Sequence, residues 1–273
     1  MGPPSIRRVA SLDMPALHPY LTLRRPHQHI EQGIFVAEGE KVVYRLLASD
    51  LFIESLLLTQ EWYEQLARER LFVKESVPVV YIAEKPLLNT IVGYRLHQGI
   101  MAVAKVPEQK SLEKTLVGLR RPASLVALDG LMNSENVGAV VRNCAAFGVG
   151  AVVVGETSSS PYLRRAVRNS MGTVFQMPVV HVGNLVGALK LLRESGTRIV
   201  AAHPNGETPI HQADFGSNIC IIFGNEDAGV SPEVLSVCDQ RIAIPMMNNT
   251  DSLNVSSASA VFLHEAARQR SRQ

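Results

Sequence analysis

Leu125-Val126-Ala127-Leu128-Asp129-Gly130, then Asn133-Ser134-Glu135-Asn136-Val137-Gly138-Ala139-Val140-Val141-Arg142-Asn143-Cys144-Ala145, then Ala151-Val152-Val153-Val154, decides the fold. A short apolar run without alternation reads as a strand buried on both faces. Asn133 or Ser134 can cap a following helix. Val137, Val140, Val141, Cys144 and Ala145 fall at i, i+3, i+4, i+7 and i+8, one apolar stripe of a helix over 135–147. A second apolar run closes the unit. The pattern continues with helices over 163–169, 185–194 and 253–268, and with buried strands over 199–202, 219–223 and 242–244. Such alternation predicts an α/β fold with a mostly parallel sheet covered by helices on both faces.

Upstream, the signals are shorter. Helices over 38–49 and 61–69 and strands over 53–58, 79–82 and 101–106 suggest a smaller α/β domain. Prolines at both ends and weak periodicity suggest a linker between the two. The expected organisation is an N-terminal extension over 1–29, a small domain over 30–106, a linker over 107–122 and a larger domain over 123–273.

The 273-residue chain is 46% hydrophobic and 19% charged, an ordinary globular composition. It lacks the run of about 18 apolar residues that a membrane helix needs. Arg7 and Arg8 have no apolar stretch behind them, so no signal peptide is expected. Cys144, Cys220 and Cys238 are odd in number and widely spaced, which argues against a disulfide frame or a zinc site and for a reducing, cytoplasmic compartment. The net charge of +2 means that contact with nucleic acid must come from local basic patches.

Ligands of open parallel sheets bind in loops at the carboxyl ends of strands. Three such loops are rich in Gly, Asn, Ser and Glu. The first holds Asn136, Gly138 and Arg142. Gly138 sits early in its helix, where glycine costs about 1 kcal/mol relative to alanine, which suggests close approach by a backbone or ligand. Arg142 lies about 9 Å along the axis from Asn136 and could lean back toward it. Alone, it reads as readily as a surface ion-pair residue. The second loop is Phe223-Gly224-Asn225-Glu226-Asp227-Ala228-Gly229-Val230-Ser231-Pro232. Gly224 would let a ligand approach, Glu226 could accept a hydrogen bond, and Ser231-Pro232 reads as a helix start; a turn with solvated acids is the plain alternative. The third runs Ile244-Pro245-Met246-Met247-Asn248-Asn249-Thr250-Asp251-Ser252-Leu253-Asn254, with Asp251 or Ser252 as the expected cap of the last helix.

Dinucleotide-binding, Walker A, nucleophile-elbow and zinc-protease fingerprints are all missing. His203, His211 and His264 are scattered and receive no role. The three loops instead resemble the ordered motifs of the SpoU (TrmH-like) RNA 2′-O-ribose methyltransferases: Asn136-x-Gly138-x-x-x-Arg142, Phe223-Gly224-Asn225-Glu226-x-x-Gly229, and Ile244-Pro245-Met246 with Ser252-Leu253-Asn254-Val255. Arg168-Asn169-Ser170-Met171-Gly172 resembles the intermediate segment of that family. The likeness covers about residues 125–267. Asn225 departs from the family's usual Ser or Ala, and Asp227-Ala228 from its usual small residues. In the first half, residues 35–41 and His97-Gln98-Gly99-Ile100-Met101-Ala102-Val103 resemble the ribosomal-protein-like substrate-binding domain of ribosomal-RNA members.

The resemblance implies a deep C-terminal trefoil knot, S-adenosylmethionine as cofactor, no metal, an RNA substrate (ribosomal RNA of the large subunit first) and a homodimer. It implies backbone contacts to the cofactor from Gly224, Ile244 and Leu253, with Met246 nearby. A guanidinium is a poor base at neutral pH, so Arg142 is expected to hold the RNA phosphate and stabilise the developing alkoxide. Asn136 and Glu226 would orient Arg142 and the ribose, and Ser252 and Asn254 would hold the last loop. Candidate RNA contacts are Arg24, Arg25, His27, Arg120, Arg121, Arg164, Arg165 and Arg168, each of which alone also reads as a solvated charge. The alternatives are a tRNA 2′-O-methyltransferase, an inactive RNA-binding homologue and, least supported, a nucleotide-linked oxidoreductase.

Overall fold

The strand signals of the first half gather in one sheet and those of the second half in another. A computed structural model describes residues 4–71, 77–92 and 99–271. His97 and Gln98 therefore lie outside the described residues. The chain divides into two units, Met1–Glu108 with Tyr162–Phe175, and Gln109–Pro161 with Gln176–Gln273.

The first unit runs β1 (Ser5–Val9), α1 (His18–Leu21), α2 (Pro26–Glu31), β2 (Ile34–Glu38), α3 (Glu40–Leu47), β3 (Ile53–Leu58), α4 (Gln60–Arg68), β4 (Val79–Ala83), α5 (Lys85–Val92) and β5 (Ile100–Lys105). Its sheet has the order β1-β4-β3-β5-β2 and is mixed: β1 and β3 pair parallel with β4, and β5 pairs antiparallel with β2 and β3. Of residues 1–29, set apart by the sequence as an extension, those from 4 onward are built into this unit. Ser5–Val9 pairs with β4, and Leu17 and Tyr20 are fully buried. The strand escapes sequence reading because it is an edge strand with four of its five residues exposed, which erases the alternating pattern. The Tyr20 hydroxyl donates to the Ser55 carbonyl at 3.0 Å, which satisfies its one buried polar group.

The second unit begins with α6 (Leu112–Val117), inside the stretch expected to be a linker. Ser111 caps it, its hydroxyl accepting from the Lys114 N–H at 3.3 Å, and Leu112 is buried. The flanking prolines bound a short helix here rather than an extended spacer. The chain continues as β6 (Ser124–Leu128), α7 (Ser134–Ala146), β7 (Ala151–Val154), α8 (Arg164–Asn169), β8 (Val179–His181), α9 (Leu185–Glu194), β9 (Arg198–Ala202), β10 (Thr208–Pro209), β11 (Ile219–Phe223), α10 (Pro232–Leu235), β12 (Gln240–Ala243) and α11 (Val255–Arg270). Seven strands pair in the order β10-β12-β9-β11-β6-β7-β8, and every pairing is parallel. This is the α/β architecture that the alternation predicts. Every residue of β6, β7 and β11 is buried. At about 1.5–3 kcal/mol for each large apolar side chain removed from water, these central strands carry much of the core. On α7 the stripe holds at Val137, Val140, Val141 and Cys144, whereas Ala145 is exposed and Gly138 takes the buried place.

Of these elements, α8 belongs to the first unit. Phe35 of β2 stacks on Phe175 at 5.4 Å and leans on Tyr162 at 5.7 Å. The Arg164 guanidinium pairs with the Glu38 carboxylate, the two side chains being only 16% and 9% exposed. Burial makes that pair expensive to break, because the partner left behind would be an uncompensated charge.

Candidate functional site

In the second sheet β6 and β11 are neighbours, with β7 and β8 on one side and β9, β12 and β10 on the other. The strand order reverses there, and a crevice opens at the carboxyl edge of such a sheet. The loops after β6 and β11 leave side by side at this edge. The Asp129 N–H donates to the Phe223 carbonyl at 2.9 Å, and the Asp129 carboxylate accepts from the Ser231 N–H at 2.7 Å.

Glu226 staples the two loops. Its carboxylate accepts from the Asn133 N–H at 3.0 Å, the Met132 N–H at 3.3 Å and the Asn136 side-chain amide at 2.9 Å. Burial alone would raise its pKa, but the Asn136 amide and the backbone N–H donors outweigh it and hold the carboxyl below the ordinary value. An acid held ionised by three donors is a weak proton acceptor, so its work is positional. Asn225, the departure from the family pattern, reinforces the same turn. Its side-chain oxygen accepts from the Asp227 and Ala228 N–H groups at 2.9 and 3.0 Å, and its amide donates to the Gly130 carbonyl at 2.8 Å. Gly224 meets a steric requirement of the loop itself. A Cβ there would lie on the backbone of Gly229 and Val230, so the loop's own return strand fills the space.

The third loop, residues 244–254, runs from the end of β12 back to α7. Asn248 and Asn249 both take left-handed backbone angles, φ 56° and 55°, which asparagine tolerates better than most residues. Its end is fixed by Asn254 rather than by Asp251 or Ser252. The Asn254 side-chain oxygen accepts from the Ser256 N–H at 2.8 Å and caps α11, while its amide donates to Asn136 at 3.3 Å. A chain of side chains, Glu226 to Asn136 to Asn254, thus joins all three loops. Ser252 is exposed and takes no partner among the described residues. Met246 is half-buried and Leu253 is 39% exposed.

The backbone N–H and C=O groups of Gly224, Ile244 and Leu253 find no hydrogen-bond partner among the described residues. Gly224 is buried, so water or a ligand must meet its backbone groups if they are not to cost stability. Arg142 is exposed on α7 and has no ion-pair or hydrogen-bond partner among the described residues. The structural alternative for Arg142, an intramolecular salt bridge, is therefore not what is found.

Of the other basic residues, Arg24, Arg25 and His27 are exposed around the start of α2, and Arg165 and Arg168 are exposed on α8. Both helices pack on β2, so these five belong to one unit. Arg120 and Arg121 are exposed ahead of β6. Arg164 is committed to Glu38 and is removed from the set of RNA contacts. A cavity of about 800 Å³ in the first unit, lined among others by Leu12, Asp13, Met14, Glu54 and Tyr81, shares no residue with the three loops. Sequence reasoning gives no site role to Asn225, which ties the loops after β6 and β11, or to Asn143, which ties α7 to α11. Asparagine next to a glycine turn is the signal for the first, and nothing local marks the second.

The family model for SpoU rRNA methylases matches residues 123–264. An uncharacterised tRNA/rRNA methyltransferase of Mycobacterium bovis is 31% identical over 271 residues, covering 96% of this chain and 92% of that protein. The AdoMet-bound rRNA methyltransferase of Sinorhizobium meliloti has a TM-score of 0.83 at 25% identity, covering 96% of this chain and 98% of that one. A solved RNA 2′-O ribose methyltransferase has a TM-score of 0.78 at 26% identity, over 96% and 99% of the two chains.

Proposed function

Since the chain belongs to the SpoU rRNA methylase family, we propose that it transfers a methyl group from S-adenosylmethionine to a ribose 2′-hydroxyl of RNA, with ribosomal RNA as the substrate. The observation that carries this reading is the tie of three strand-end loops through Glu226, Asn136 and Asn254 beside an unpaired, exposed Arg142. The spare backbone groups of Gly224, Ile244 and Leu253 suit a ligand rich in donors and acceptors. We take Met246 as an apolar contact to the same ligand.

S-adenosylmethionine, held by the backbone of Gly224, Ile244 and Leu253, would supply an electrophilic methyl group to the ribose 2′-oxygen, whose proton would leave to solvent. Arg142 holds the RNA phosphate and stabilises charge building on the 2′-oxygen. Asn136 and Asn254 fix the loops around it, and Ser252 is placed to meet the ribose or the cofactor. Holding the two reactants together supplies much of the rate. The first unit selects the RNA through Arg24, Arg25, His27, Arg165 and Arg168, helped by Arg120 and Arg121. The ribosomal-protein-like pattern of that unit supports ribosomal RNA over tRNA. A trefoil knot formed by the chain around the third loop and a homodimer belong to the same reading.

The test measures transfer of labelled methyl from S-adenosylmethionine to ribosomal RNA and to tRNA, with mapping of 2′-O-methyl positions. Arg142→Ala should lower the rate about a hundredfold or more while cofactor affinity stays within about twofold. Retained activity in that variant sinks the role given to Arg142. Methylation of a base, or of tRNA alone, sinks the substrate assignment.

A further inference from the structure

Asn143 follows Arg142 on α7 and turns toward α11. Its amide donates to the Ser256 carbonyl at 2.8 Å and to the Ser259 hydroxyl at 2.9 Å. Ser259 is completely buried on α11, and its own hydroxyl donates to the Ser256 carbonyl at 2.8 Å. Asn136 and Asn143 are seven residues apart, so on a helix of 3.6 residues per turn they lie within about 20° of one face, two turns apart. Both grip the amino-terminal end of α11. Asn136 meets Asn254, the cap, and Asn143 meets the first turn. A helix held at two points a heptad apart cannot roll about its axis.

Arg142 projects about 100° round the axis from Asn143. It has no partner among the described residues to aim it. The roll of α7 therefore sets where the Arg142 side chain leaves the helix. We propose that Asn143 is a positioning residue for methyl transfer: by pinning α7 to the first turn of α11, it points Arg142 into the site. The inference rests on the methyltransferase reading given above.

Asn143→Leu keeps most of the volume and removes both hydrogen bonds; Asn143→Gln keeps an amide donor. With Asn143→Leu, kcat falls about tenfold or more, since misplacing a catalytic group by an ångström costs that much. The Kd for S-adenosylmethionine stays within about twofold, and Asn143→Gln recovers most of kcat. In an Arg142→Lys background, Asn143→Leu causes little further loss, because the two side chains act as one unit. An unchanged kcat in Asn143→Leu, or an equal loss in both backgrounds, overturns the proposal. If Asn143→Leu does not fold, Asn143→Ser carries the same measurements. If the wild-type protein transfers no methyl group, the methyltransferase reading has failed instead. The latch is then tested by amide exchange at residues 258–260, where unchanged protection in Asn143→Leu overturns it.

Discussion

Glu226 spends its carboxylate on the protein, and this has a measurable consequence at acid pH. Its folded pKa is depressed, so the stability it contributes is fully present above the ordinary value of 4.5 and is lost as pH falls through the lower folded value. Glu226→Gln should cost about 1 kcal/mol at pH 7, a figure already reduced for its solvent exposure. Melting curves of both proteins from pH 7 to 3 should show the gap constant down to about pH 5 and closing below it. A gap that widens on acidification contradicts the assignment. Arg142 is the opposite case at the same scale, a charge that the fold leaves unused.

At the scale of elements, the loop after β11 is set by steric need. Gly224→Ala would drive a methyl into the backbone of Gly229 and Val230. The expected loss is about 3 kcal/mol, with cofactor affinity falling alongside, read by thermal unfolding and calorimetry. A stable variant with normal affinity would mean that the return strand gives way easily. The elements themselves are unevenly legible. Buried strands such as β7 and β11 are unbroken apolar runs, and their bounds emerge from the residues alone. Edge strands are not visible: β1 is exposed, β8 has three residues and β10 two, too few for any pattern. Local capping chemistry identifies Ser231, but it does not choose among Asp251, Ser252 and Asn254, since all three are competent caps; Asn254, which also meets Asn136, takes the place. The polar residues of the site are readable from their loops. Which of them serve each other is not, because Glu226 and Asn136 meet across 90 residues of chain.

At the scale of the whole molecule, a net charge of +2 leaves RNA attraction to patches. Replacing Arg24 and Arg25 together by alanine should weaken RNA binding and flatten its dependence on salt, by about 1 in log–log slope for each phosphate that the protein no longer neutralises. Filter binding from about 50 to 300 mM salt checks this; an unchanged slope removes the two residues from the interface. The chain also passes between its two units three times, at residues 108–109, 161–162 and 175–176, because Tyr162–Phe175 serves the first unit. A fragment ending at residue 108 would lack α8, leaving Phe35 without its two aromatic partners and Glu38 without its cation. It should melt without cooperativity, and adding a 162–175 peptide should sharpen the transition; a cooperative melt of the fragment alone would refute this. Heredity faces the same constraint. A single recombination point cannot carry the first unit intact into another gene, because part of it is encoded inside the second. Exchange of the first unit between proteins with this arrangement must proceed by gradual substitution, or by two coordinated exchanges, rather than by shuffling of modules.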